Sequence, residues 1–170
     1  YITATDTGPR AVHSRITMNG IAAAAVEGNW IIRGEAAYLD GLKYSSAPGE
    51  TFQRTDALIG WDYAGFANTS ISVELADRHV NNYEKRLQAE GVREDTPQLA
   101  ARYQGDFLYD RLHLTALGLI QGNGDGGFSR YQAQYDLSDA LSVMGGVVFY
   151  HSGDALPFSG IDGNDRIITE

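Results

Sequence analysis

An all-β fold, an antiparallel up-and-down meander forming part of a transmembrane β-barrel, is predicted by three observations. Apolar and polar residues alternate with a period of two along almost the whole chain, the pattern of a strand whose successive side chains point to opposite faces. The links between these runs alternate between short and long. No apolar run approaches the roughly 20 residues that a spanning helix needs. The longest candidate, residues 21–26, is far too short, so a membrane role would fall to strands.

Residues 12–26 (VHSRITMNGIAAAAV) set Val12, Ile16, Met18, Ala22, Ala24 and Val26 against His13, Arg15, Thr17 and Asn19, giving the first strand. Residues 30–41 (WIIRGEAAYLDG) set Trp30, Ile32, Gly34, Ala36 and Tyr38 against Arg33 and Glu35, giving the second. In 54–63, Ala57, Ile59, Trp61 and Tyr63 oppose Arg54, Asp56 and Asp62. In 70–78, Ile71, Val73 and Leu75 oppose Ser70, Ser72, Glu74 and Arg78. Residues 99–109 oppose Leu99, Tyr103 and Phe107 to Arg102, Gln104 and Asp106, and 112–121 oppose Leu112, Leu114 and Ile120 to His113, Thr115 and Gln121. In 128–137, Tyr131, Ala133, Tyr135 and Leu137 face away from Arg130, Gln132, Gln134 and Asp136. Residues 141–151 are apolar on both faces, which leaves their register open, and DRIITE begins a further strand at Asp165. Eight strands and a truncated ninth are predicted, with residues 1–170 as a single barrel segment.

Short links are expected at 27–29, 64–69, 110 and 138–140, long ones at 41–51, 80–98 and 152–164, and one of intermediate length at 122–127. A Greek-key sandwich has no reason to alternate so regularly, whereas a membrane meander has short periplasmic turns and longer outer loops. The link 80–98 is the longest and richest in charge, an exposed protease site unless its helix-favouring run, Glu84 with Lys85, Arg86, Leu87, Gln88 and Ala89, forms a short helix. GNGDGG at 122–127 lacks the acidic spacing of an EF-hand and reads as a hairpin loop whose glycines supply positive φ.

Alternation alone leaves open which face points outward, because a soluble barrel puts its apolar face inside. Trp30, Trp61, Tyr63, Tyr109 and Tyr135 gather beside the short links, as an aromatic girdle at a membrane interface does. The apolar face is also rich in small residues, Gly20, Ala22, Ala24, Gly34, Ala36, Ala57, Ala116 and Gly118, which fill a packed core poorly while lipid chains conform to them. The apolar face is therefore expected to meet lipid. The residues expected to line a polar lumen are Arg33, Glu35, Arg54, Asp56, Asp62, Glu74, Arg78, Arg102, Asp106, Arg130 and Asp136. Counting across the link near Phe66 sets Asp62 opposite Ser70, Leu58 opposite Glu74 and Arg54 near Arg78, with Asp56 beside the two arginines. Counting across Tyr109 and Asp110 sets Asp106 opposite His113 and Gln104 opposite Thr115. Charges are expected to concentrate away from the short-link end.

A net charge of −9 with scattered acidic residues argues against a nucleic-acid partner. The absence of cysteine removes disulfides, thiolate metal sites and cysteine nucleophiles together. The chain begins at Tyr1 without a basic n-region and apolar h-region, so a signal peptide is expected to be removed or to lie outside this sequence.

The stretches RGEAAYLDGLKY, DALIGWDYAGFANTSISVELADRHVNNYE and GFSRYQAQYDLSDALSVMGGVVFYHSGD, closed by GNDRIITE, resemble the C-terminal part of large Gram-negative outer-membrane β-barrels, among them a porin-like family of unassigned activity. The resemblance covers most of the chain as a pattern of strands and turns. It implies residence in the bacterial outer membrane and passage or export of small or hydrophobic molecules. The partners it implies are the lipid bilayer, the barrel assembly machinery and a periplasmic or inner-membrane export partner. Such barrels end in a strand whose last residue is aromatic, whereas this sequence stops at Glu170. A fragment is expected, lacking a few residues after Glu170 and further strands before Tyr1.

No catalytic, metal or cofactor signature competes with this reading. His13, His79, His113 and His151 are dispersed without ligand spacing. In YHSGD, His151 and Ser152 are strand neighbours that point to opposite faces, an arrangement that does not support a nucleophile and its base. The alternative is a soluble or periplasmic all-β barrel of lipocalin type that holds a small apolar ligand inside.

Overall fold

The computed structural model describes residues 2–5, 8–11, 13–154, 157–161 and 163–170. A short antiparallel pair, β1 (Ile2–Thr5) with β2 (Gly8–Ala11), comes first and was not predicted. Nine further strands form one antiparallel sheet in strict chain order. They are β3 (Thr17–Glu27), β4 (Trp30–Leu42), β5 (Phe52–Phe66), β6 (Thr69–Val80), β7 (Gln98–Phe107), β8 (Leu112–Gln121), β9 (Gly127–Ser138), β10 (Leu141–His151) and β11 (Arg166–Thr169). The only helical element among the described residues is a 3-10 turn, Lys85–Glu90. The sheet is open, with β3 and β11 as its edges.

The alternation of links is as expected: short turns at 28–29, 67–68, 108–111 and 139–140 lie at one end, and the longer links lie at the other. Gly28 and Asn68 take left-handed φ of 57° and 53° in their two-residue turns, as tight hairpins demand. Leu108, Tyr109 and Asp110 are left-handed in succession, a conformation uncommon for residues with a side chain.

The strands run at a slant to the line of turns. One row of paired residues passes from Trp30 through Tyr63, Ile71, Tyr103 and Ala116 to Tyr131. Trp30 is the first residue of β4 beside its turn, whereas Tyr131 lies seven residues short of Ser138, the end of β9. Seven residues are about 23 Å of strand and five interstrand steps about 24 Å, so the slant is near 45°. Strands of closed barrels tilt by a similar amount.

The register assigns each side chain to a face. Trp30, Ile32, Gly34 and Ala36 share a face with Tyr63, Trp61, Ile59 and Ala57, and that face continues through Ile71, Val73 and Leu75 to Leu99, Tyr103, Leu114, Ala116 and Tyr131. The open register of 141–151 resolves with Val143, Gly145, Val147 and Phe149 on this apolar face.

Three expectations need correction. The first strand begins at Thr17; residues 13–16 are outside any strand, and Val12 lies outside the described residues. Its phase is also reversed, since Glu27 pairs with Trp30, Ala22 with Glu35 and Ala24 with Arg33, so Gly20, Ala22 and Ala24 belong to the charged face. The cause is that β3 carries small or apolar residues on both sides between Gly20 and Val26. Lastly, the hairpin near Phe66 is displaced by two residues: Asp62 pairs with Ser72, Leu58 with Ala76 and Asp56 with Arg78. The two-residue turn at 67–68 sets Phe66 opposite Thr69, and one extra residue on β5 between Phe66 and Tyr63 then brings Tyr63 opposite Ile71; the net displacement from the expected pairing is even, so each face keeps its chemistry. Asp106 opposite His113 and Gln104 opposite Thr115 are as expected.

Candidate functional site

The apolar face carries no buried large side chain among the described residues; Ile59 is 42% exposed, Ile120 58% and Ile167 83%. The buried apolar side chains, Ala47, Phe52, Val80, Leu87, Val148 and Phe158, lie in the long loops or on the charged face. Two patches of the apolar face follow the line of short turns. Trp30 packs on Tyr63 with ring centroids 4.5 Å apart, and Tyr63 meets Phe66 edge-on at 5.1 Å. Farther along, Phe107, Leu112 and Tyr135 are paired in one row, and Arg111 stacks over Tyr135 at 5.3 Å. Of the expected girdle, Trp30, Tyr63 and Tyr135 lie along this line, Trp61 lies deeper in its strand, and Tyr109 is fully exposed in its turn. Phe66 and Phe107 belong to the same belt and were missed.

The eleven residues expected to line a lumen all fall on the opposite face. Several converge in ways the sequence did not reveal. Arg33 on β4 reaches Asp62 on β5 at 3.3 Å and Glu74 on β6 at 2.5 Å. It spans two strands because Gly60 lies between; a Cβ there would stand 3.1 and 3.3 Å from the guanidinium nitrogens. Asp56 holds Arg54 at 2.8 Å and approaches Arg78 at 3.9 Å, so the carboxylate does sit between the two arginines. Arg54 Nη2 donates to Asp56, while the Nε contact is close but not aligned as a hydrogen bond.

At the short-turn end, His113 stands between Asp106, 2.7 Å from Nδ1, and Asp136, 3.0 Å from Nε2. The two carboxylates address opposite edges of the ring, so the three groups do not converge on a common point. Charge therefore extends to the short-turn end, contrary to the expectation that it concentrates away from it. Glu35, Arg102 and Arg130 form no ion pair with the described residues. Beside Glu35, the small residues Gly20, Ala22 and Ala37 line an open hollow of about 460 Å³ together with Leu58, Asp56 and Arg78.

The long loops fold against this same face. Phe52 and Val80 continue the rows of Leu42 and Arg54, and with Ala47 and Leu87 they form a small core backed by Leu42, Tyr44, Tyr83 and Val92. Burial pushes the Tyr44 hydroxyl above its ordinary pKa. Arg86 ties the 3-10 turn to Glu50 at 2.6 Å, and Glu90 accepts the Ser46 N–H. The link 81–97 is thus folded and packed through Leu87, as the helix-favouring run suggested. The Gly-rich link is likewise anchored: buried Asp125 pairs with Arg93, Gly122 N–H donates to Pro97 O at 2.7 Å, and Asp154 N–H donates to Gly124 O at 3.1 Å. Ser152 Oγ donates to Phe158 O and accepts the Gly160 N–H, which commits it to the loop backbone.

The arrangement offers a charged, partly self-neutralised wall capped at one end by loops and backed by an uncovered apolar surface. Compared with family models, curated proteins and solved structures, the chain finds no match in any of the three.

Proposed function

We propose that this chain is part of a bacterial outer-membrane β-barrel that works as a porin-like channel or export conduit for small or hydrophobic molecules. The observation that carries this reading is the distribution of burial. A sheet whose broad apolar face holds no buried large residue, and whose other face holds twelve charged side chains against Glu27, Asp40 and Asp77 on the apolar one, has the polarity of a membrane barrel wall. A soluble lipocalin-like barrel would bury that apolar face around its ligand. The slant near 45°, the aromatic belt beside the short turns and the confinement of long loops to the other end support the same reading. On this reading the apolar face meets lipid, the short turns face the periplasm, and the barrel assembly machinery inserts the strands. A periplasmic or inner-membrane partner would deliver exported cargo at the short-turn end.

The test is fractionation after expression in a Gram-negative host. The protein should enter the outer-membrane fraction, require detergent for extraction and migrate differently on a gel before and after heating. Recovery as a folded soluble protein without detergent would overturn the proposal in favour of the ligand-binding barrel.

A further inference from the structure

On the charged face one row of paired residues crosses the sheet from Asp62 through Ser72, Arg102, Leu117, Arg130 and Val148 to Arg166. Its three arginines occur on alternate strands, β7, β9 and β11, about 9.6 Å apart along the row. Elsewhere on this face arginines meet carboxylates, Arg33 with Asp62 and Glu74, and Arg54 and Arg78 with Asp56. None of Arg102, Arg130 and Arg166 has a carboxylate within 4.0 Å among the described residues. Arg130 donates to the neutral amide of Gln132 at 2.6 Å. Leu117 and Val148, which separate the arginines, carry no charge to neutralise them. A row whose only task was to hold register would pair opposite charges across strands. Three like charges along one slanted row instead set up a positive potential that is relieved by water and by anions from solution. The planar guanidinium fork also matches the two oxygens of a carboxylate or phosphate.

We propose that Arg102, Arg130 and Arg166 form an anion-binding stripe, along which small oxyanions of the phosphate or carboxylate class are drawn through the barrel. This rests on the conduit reading. It assigns charge selectivity to β7, β9 and β11 in preference to Arg54 and Arg78, whose charge Asp56 partly offsets.

The experiment is planar-bilayer recording of the full-length protein that contains this chain, under a potassium chloride gradient. The wild-type protein should favour chloride, and adding inorganic phosphate or acetate to one side should reduce the chloride current. Reduction by phosphate alone would narrow the ligand to phosphates, and reduction by both would extend it to carboxylates. Arg102→Gln with Arg130→Gln should lower the anion-to-cation permeability ratio several-fold and abolish the block, and Arg102→Glu with Arg130→Glu should reverse the selectivity. Arg54→Gln should shift the ratio less. Heat-modifiable migration identifies variants that insert, and Arg166→Gln, on the four-residue edge strand, supplies a milder second case. Variants that conduct like the wild type with unchanged selectivity and block would overturn the stripe and leave the conduit intact. Inserted protein that never conducts would overturn both.

Discussion

Replacing Ile59 with arginine tests which face meets lipid, because its depth follows from the register. On the apolar face of β5 the run is bounded by Thr55 toward the loops and by Phe66 at the turn, four and seven residues from Ile59. At about 3.3 Å per residue and a slant near 45°, Ile59 lies about 9 Å from one limit and about 16 Å from the other. On the proposed membrane reading that depth falls well inside the hydrocarbon, where an arginine on the lipid face costs about 2–4 kcal/mol. The folding equilibrium should therefore fall about 30- to 900-fold. Ala36, which pairs with Ala57 two residues along, should respond similarly. Ser72→Arg is the control, since Ser72 lies on the charged face opposite Asp62 and beside an open hollow that it shares with Arg33 and Arg102. Urea-dependent folding into phospholipid vesicles, read by the heat-modifiable gel shift, gives all three values. Equal losses at Ile59, Ala36 and Ser72, or a larger loss at Ser72, would refute the assignment of the faces.

Gly60→Val should push the guanidinium of Arg33 away from Glu74, because the added Cβ meets it at 3.1 Å. The pair is about a third exposed, so breaking it should cost about 0.5–1 kcal/mol in the same urea titration. Arg93→Met leaves the carboxylate of Asp125 buried without its partner, a loss of about 3–5 kcal/mol in such settings, and hydrogen exchange at Gly122 and Asp125 should accelerate. Leu87→Asp removes the apolar anchor of the link 81–97, and trypsin should then cut at Lys85 and Arg86 many times faster than in the wild type. The Glu90 carboxyl is opposed by partial burial but held below its ordinary range by hydrogen bonds from Ser46 and Ser45. Its contribution is thus fully present above about pH 4.3, the unfolded value, and is lost as pH falls through the lower folded value. Protease resistance of the link 81–97 should decline over that acid window and be insensitive to acid in Glu90→Gln.

Strand positions and the alternation of links were legible because a period-two pattern needs only local chemistry, and the eleven charged residues were placed on one face by that pattern alone. It failed where chemistry was uniform. Between Gly20 and Val26 both sides of β3 are small or apolar, so its phase is decided by the turn at Gly28 and Asn29, which pairs Glu27 with Trp30. Register across Phe66 was missed for a related reason: the turn falls at 67–68 and the irregularity between Tyr63 and Phe66 adds one residue to β5, and the resulting even displacement leaves every face unchanged and so leaves no trace in the pattern. The loop core was hidden because Phe52, Val80 and Leu87 are far apart in sequence and belong to no single periodic run. The charge network was hidden more deeply. Arg33 and Glu74 are 41 residues apart on strands that are not neighbours, and sequence alternation treats the residue between them, Gly60, as a lapse in a strand that prefers larger side chains. Its missing side chain eases the crossing, because a Cβ at that point would stand 3.1 Å from Arg33 Nη2 and the guanidinium would have to give way by a few tenths of an ångström. A strand glycine set between opposite charges on the strands either side of its own is therefore a usable signal, but only after the register is known.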